Sequence, residues 1–377
     1  MVKQIEGCDF MKRILSLILL GSLMLTGCSY EAQNPNNDEK NKTEYERSSS
    51  ITMIPTLKDT ISGDSIWCAT FQLVWNDMKN EVVKQDIVFQ EQPSMVDNLN
   101  KEGFTADMLS DEYYYKAYGL KTLKLKEQIE KGIKDKFNET SDILDDFGWD
   151  ADQVNDENNP DISRYFFYAM LKREFEFPKV FTKLDNGTFA DKYNNVRYFG
   201  IDGTTKSDVY SQVKVLFYNS EDDFAVSLQT KNNDGVVLYK SPKGENFEDI
   251  YNNLKEASES YTGKTYFTKY DSLKVPYIKF DEKKEYTELA NKPFMTADGN
   301  VAEIDKAIQT IKFELDEKGG KIKSEAGISM KVTSMAPIEE PDYRYFHLDN
   351  TYAMFLKEKD KDVPYFAALI ANVENYQ

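Results

Sequence analysis

The sequence predicts an α+β protein: a charged, helical stretch comes first and a strand-rich stretch follows it. Three observations carry this. Residues 98 to 160 set Lys and Glu around spaced apolar positions, the pattern of solvated helices. From Arg164 the texture changes to aromatic and β-branched runs broken by turn residues. Ile311, Phe313 and Leu315 then alternate with Lys312, Glu314 and Asp316, a strand with one covered and one wet face.

Taken in order, the chain opens with an extension, Met1 to Phe10, before a second start at Met11. Lys12-Arg13 and the apolar run Ile14 to Leu25 read as a secretion signal, so residues 1–27 are expected to be a signal peptide. The run is shorter than the roughly 20 residues that span a bilayer. Its end, Leu25-Thr26-Gly27-Cys28, resembles the lipobox of bacterial lipoproteins. That resemblance implies a lipid on Cys28 and a place in the cell envelope, anchored on the outer face of the membrane. Residues 28–50 are polar, cannot bury enough apolar surface to fold, and read as a disordered tether. Residues 51–377 are expected to form the folded domain.

The net charge is −18, from 47 basic and 65 acidic residues. Removing residues 1–27 takes away three basic and two acidic groups and leaves −19. So acidic a chain, without a basic run, argues against nucleic acid as its partner class. Cys8 precedes Met11 and Cys28 is the lipid site, so the fold keeps only Cys68 and no internal disulfide is expected. Cys68 lies in the apolar stretch Ile66 to Trp75 and reads as a buried structural thiol.

That stretch predicts a helix with Ser65 as N-cap, and Asp86 to Ser94 follows it. Leu120 to Phe137 and Ile143 to Trp149 predict helices. Asp145, Asp146, Asp150, Asp152, Asp156 and Glu157 are dense enough to suggest calcium. They lack the glycine and terminal glutamate of an EF-hand loop, and they read as a solvated acidic loop. Arg164 to Phe175 suits the middle of a large sheet. A turn is expected at Asp185 to Thr188, a strand at Asn195 to Phe199, and a hairpin joining Ser211–Tyr218 to Phe224–Leu228. A helix over Phe247 to Glu256 and a strand over Leu273 to Phe280 follow.

Several of these segments resemble serpins. Glu314-Leu315-Asp316-Glu317-Lys318-Gly319 is similar to the serpin strand end and hinge glycine. Asn350 to Leu356 and Tyr365 to Ala371 are similar to the terminal strand pair, and Val275-Pro276-Tyr277-Ile278-Lys279-Phe280 to another serpin strand; Asp86 to Ser94, after the first helix, is loosely similar to a short buried serpin strand, with Gln92-Pro93-Ser94 where the family has Ser-Pro. The resemblance runs in order over residues 164 to 372. It implies a serpin-like fold: a large central, mostly antiparallel β-sheet with packed helices and an exposed C-terminal loop. It also implies a monomeric inhibitor of an extracellular serine or cysteine protease, which cuts the loop around 320–345 before the loop inserts into the sheet. The hinge would be Glu317, Gly319, Gly320, Ile322, Ser324 and Ala326; even-numbered positions 320 to 330 carry no charge and could be buried. The reactive bond would lie at Lys331, Thr333, Ser334 or Met335. Two departures, Gly320 and Ile322 where the family favours small hydroxyl and alanine residues and Leu171 where it carries tryptophan, support the alternative of a non-inhibitory binding or structural lipoprotein.

No enzyme is expected. The one histidine, His347, reads as an ordinary surface residue; no nucleophile elbow, paired metal ligands or glycine-rich phosphate loop is present, and no metal or cofactor is implied.

Overall fold

A computed structural model describes residues 51–150, 154–155, 163–232, 234–320 and 343–377. Residues Ser48–Gln377 form one compact unit. The predicted signal peptide, the tether and Cys28 lie outside the described residues.

The elements run β1 (Thr52–Met53), β2 (Ser65–Cys68), α1 (Thr70–Asp77), α2 (Ser94–Asn100), β3 (Tyr114–Leu120), α3 (Leu123–Phe137), β4 (Tyr165–Leu171) and β5 (Phe175–Glu176). Next come β6 (Thr182–Phe189), β7 (Tyr193–Ile201), β8 (Val213–Ser220), β9 (Asp223–Gln229), β10 (Asp234–Lys240), α4 (Phe247–Ser260), β11 (Asp271–Pro276) and β12 (Ile278–Glu285). The chain closes with β13 (Pro293–Met295), β14 (Val301–Glu303), β15 (Ile308–Leu315), β16 (Gly319–Gly320), β17 (Arg344–His347), β18 (Tyr352–Glu358) and β19 (Phe366–Ile370). The class is α+β, as expected.

The largest sheet among the described residues has the order β1-β2-β19-β18-β10-β9-β8. It is antiparallel except at β1–β2, and its centre is apolar on both faces: Val236, Leu238, Tyr352 to Phe355 and Ala367-Ala368 are buried. A second sheet orders β17-β11-β7-β6, with β17 parallel to β11. β3–β4 and β12–β15 form two separate two-stranded pairs.

The structure corrects several expectations. Ser65–Cys68 is a strand, not the start of a helix; the helix begins at Thr70. All four residues of β2 are buried between β1 and β19, and the apolar run that follows Ser65 carries no period to separate helix from strand. Asp86 to Ser94 forms no strand, although Ile87 and Phe89 are buried in a side cluster with Phe71, Tyr286 and Phe294. Residues 98 to 160 are interrupted by β3, and Ile143 to Trp149 holds only the single 3-10 turn Leu144–Phe147. Asp185 to Thr188 lies inside β6, at a register shift near Gly187. Leu273 to Phe280 splits at Tyr277 into β11 and β12, which belong to different sheets. The hairpin at 219–223 and the terminal pair β18–β19 are as expected.

The main correction concerns Arg164 to Phe175. Among the described residues its core, β4, pairs only with β3 rather than sitting mid-sheet, and the large sheet is built from other strands. Side-chain alternation reports the faces of a strand; it carries no information about whether one edge or both are paired.

Candidate functional site

Two sheet edges face a common groove. β3 occupies one edge of β4, and β12 occupies one edge of β15. Among the described residues no strand pairs with the second edge of either. Between them lies an open groove of about 1860 Å³, lined by the length of β4, by Ile308 to Glu314 and, deeper, by Phe71, Trp75 and Phe366. A strand edge of this kind can pair with another strand through its backbone N–H and C=O groups.

The face assignment of β15 follows its sequence. Ile311 and Leu315 are buried, and Phe313 stacks on Phe366 at 5.0 Å. On the other face Lys312 pairs with Asp142 and Asp281, and Glu314 with Lys279. On β4, Phe166 and Tyr168 pack against Leu125, Ile129 and Ile133 of α3. α3 starts on a proper cap, with the Thr122 side chain accepting from the Leu125 N–H at 3.1 Å.

The turn after β15, where the sequence places the hinge, closes one end of this groove. After β15 the Asp316 carboxylate accepts from the N–H groups of Lys318 (2.8 Å) and Gly319 (3.1 Å), which tightens a turn. The chain reverses there, so Gly319 and Gly320 pair antiparallel with Glu176 and Phe175. Gly319 sits at φ +135°, and a Cβ on it would lie 2.2 Å from the Phe175 carbonyl oxygen; only glycine fits. A Cβ on Gly320 would lie 3.0 Å from the Glu314 carbonyl oxygen and 3.2 Å from the Phe175 ring. Gly320 is therefore already wedged between the end of β15 and β5, with the chain turned back on itself.

Glu317 pins the turn. Its side chain is almost fully buried, accepts from the Tyr277 hydroxyl at 2.6 Å and pairs with Lys183 at 3.3 Å. Burial pushes this carboxyl up, but Tyr277, a backbone N–H and Lys183 outweigh it and hold the group below its ordinary value. The Glu317 and Lys318 carbonyls accept from Phe181 (2.9 Å) and Phe177 (2.8 Å). At the far end of residues 321–342 the chain re-enters through Arg344. Its buried guanidinium donates to both Asp271 oxygens (2.8 and 2.9 Å) and to the carbonyls of Lys264 (2.7 Å) and Tyr266 (2.9 Å).

No family model matches the chain, and no curated protein matches it. Solved serpins do. The chain is similar to Serpin48, a highly specific serpin of the insect Tenebrio molitor, at 10% identity over 83% of this chain and 92% of that one, with TM-score 0.48. It is similar to the thermophilic serpin Tengpin in its native state (12% identity, 83% and 90% covered, TM-score 0.45). Human thyroxine-binding globulin in complex with thyroxine is a third (11% identity, 82% and 92% covered, TM-score 0.45).

Of the predicted site residues, Glu317, Gly319 and Gly320 come together at one end of the groove. Ile322, Ser324, Ala326, Lys331, Thr333, Ser334 and Met335 lie outside the described residues. Cys68 is buried and free, and burial pushes its thiol up. His347 is not an ordinary surface residue. It sits half-buried on β17 with Nε2 2.8 Å from the Ser272 hydroxyl, and burial lowers its pKa. Tyr277, Lys183, Asp271 and Arg344 were missed. Only Arg344 left a trace in sequence: it shares the parity of buried Phe346, and a cation on the apolar side of a strand calls for a buried acid.

Proposed function

We propose that this chain is a serpin-type protease inhibitor in which residues 321–342 are bait, cut by a protease and then drawn into the groove between β4 and β15. One observation carries the reading. Gly319 and Gly320 have already turned antiparallel to β5 and stand between it and the end of β15, as the first residues of an inserting strand would. The order of elements along the chain agrees with the serpin resemblance read from the sequence.

Physical chemistry supplies a drive. β4 offers seven residues of edge and β15 eight. A strand between them would satisfy both edges at about 1 kcal/mol net per hydrogen bond. Ile322, Ile328 and Met330 would add roughly 1.5–3 kcal/mol each on burial. Ordering the backbone costs about 1–2 kcal/mol per residue, so side-chain burial decides the net gain. The uncharged parity of positions 320 to 330 supports that burial.

In this reading Cys28 carries a lipid and holds the domain at the cell surface through residues 28–50. The experiment is incubation of the full-length chain with a panel of serine and cysteine proteases, followed by denaturing gels. A covalent complex stable in SDS is the expected result. Cleavage within 331–335 without such a complex refutes inhibition and leaves a binding or structural role. Loss of membrane association in Cys28→Ser tests the anchor.

A further inference from the structure

The groove is spanned by a short segment that is fastened differently on its two sides. Asp142 to Phe147, centred on the 3-10 turn Leu144–Phe147, lies against both strand pairs. On the β3–β4 side the attachment is largely apolar. Ile143 and Leu144 join the cluster of Leu125, Ile129, Ile133, Phe166 and Tyr168, and the Phe147 ring packs edge-on to Phe166 at 4.9 Å. Two cations reinforce it: Lys121 donates to the Phe147 carbonyl at 2.8 Å and Lys126 to Asp145 at 2.8 Å. No residue of β12 to β15 belongs to that apolar cluster.

The other side is held by ammonium groups. Lys283 on β12 donates to the Asp146 carboxylate at 2.7 Å. Lys306, just before β15, donates to the Asp146 carbonyl at 3.0 Å, and Lys312 on β15 to Asp142 at 3.1 Å. The two side-chain pairs are about half exposed, so water and salt reach them.

We propose that Asp142 to Phe147 is an electrostatic clasp, hinged by apolar packing on the β3–β4 half and buttoned by Lys283, Lys306 and Lys312 on the β12–β15 half, which gates entry of a strand into the groove. The asymmetry is the argument. Apolar contacts resist salt, whereas exposed ion pairs weaken as the Debye length shrinks. Salt therefore releases one side only, and the segment swings without leaving the protein. The gating half of this proposal rests on the function proposed above; the clasp half does not.

The test uses the full-length chain and two readouts. The first is amide hydrogen exchange of residues 142–147 in about 0.02 M and about 0.5 M sodium chloride, where the Debye length falls from roughly 20 to roughly 4 Å. Exchange is expected to rise on the order of 10-fold with salt, and to be high already at low salt in Lys283→Glu/Lys312→Glu, while α4 stays unchanged as a control on folding. Exchange indifferent to both salt and the substitutions overturns the clasp. The second readout is the rate at which the cleaved chain gains thermal stability. A severalfold acceleration by salt and by the double substitution is expected, and an unchanged rate overturns gating. A cleaved chain that gains no stability under any condition overturns gating together with the proposed inhibitor function, while the exchange readout still decides the clasp.

Discussion

Gly319→Ala is the sharpest single perturbation of the hinge. A methyl group there would stand 2.2 Å from the Phe175 carbonyl oxygen, and the backbone at φ +135° is strained for any residue with a side chain. That strain costs about 1–3 kcal/mol. The overlap is with backbone, so no rotamer relieves it, and the turn must lift off β5. Lifting breaks the hydrogen bonds from Phe177 to Lys318 (2.8 Å) and from Phe181 to Glu317 (2.9 Å), at about 1 kcal/mol each. The sum is roughly 3–5 kcal/mol, felt as local detachment of the hinge rather than global unfolding. Hydrogen exchange at the amides of Phe177 and Phe181 should accelerate on the order of 100-fold or more. Gly320→Ala serves as the graded partner: its neighbours stand at 3.0 and 3.2 Å and one is a ring that can tilt, so its effect stays below about 1.5 kcal/mol. Equal exchange at Phe177 and Phe181 in wild type and Gly319→Ala would refute the hinge geometry.

Three further outcomes are expected. The Glu317 carboxyl lies below its ordinary value of 4.5, so its stabilising effect on the hinge is full above that pH and is lost as pH falls through the folded value. Tyr277→Phe removes one of the groups holding it down, so acid loosening, followed by exchange at Phe181, should begin at a higher pH than in wild type. Arg344→Ala leaves Asp271 buried without its cation, which costs about 3–5 kcal/mol and lowers the melting temperature by roughly 5–15 °C; a change of only a degree or two would contradict the anchor. Cys68 should resist a thiol reagent in the native chain and react fully in denaturant, since its thiol is buried and pushed up.

How far the sequence could be read depended on what each residue type reports. The faces of β15 were readable because Ile311, Phe313 and Leu315 alternate with charge, and the structure places two of the three in the core and the third against Phe366. The fate of its edges was not, because edge pairing leaves no mark on side-chain periodicity; the same limit put β4 in mid-sheet. β2 was misread because every residue in it is buried. The hinge glycines announced themselves, since two adjacent glycines after a strand call for a turn. Their anchors did not: Tyr277 lies 40 residues before Glu317, and Asp271 lies 73 before Arg344. Such pairs are made by the fold and are invisible to local spacing.

Cutting residues 321–342 should let them fill the groove, and one thermal melt tests this. The full-length chain is cleaved within 331–335, the site is confirmed by mass, and the two fragments are melted together beside the intact chain. Burial of Ile322, Ile328 and Met330 alone amounts to roughly 5–9 kcal/mol, so the cleaved form should melt about 10 °C or more above the intact one. A cleaved form melting at or below the intact temperature would mean that the groove does not take up the loop, and the account would be wrong.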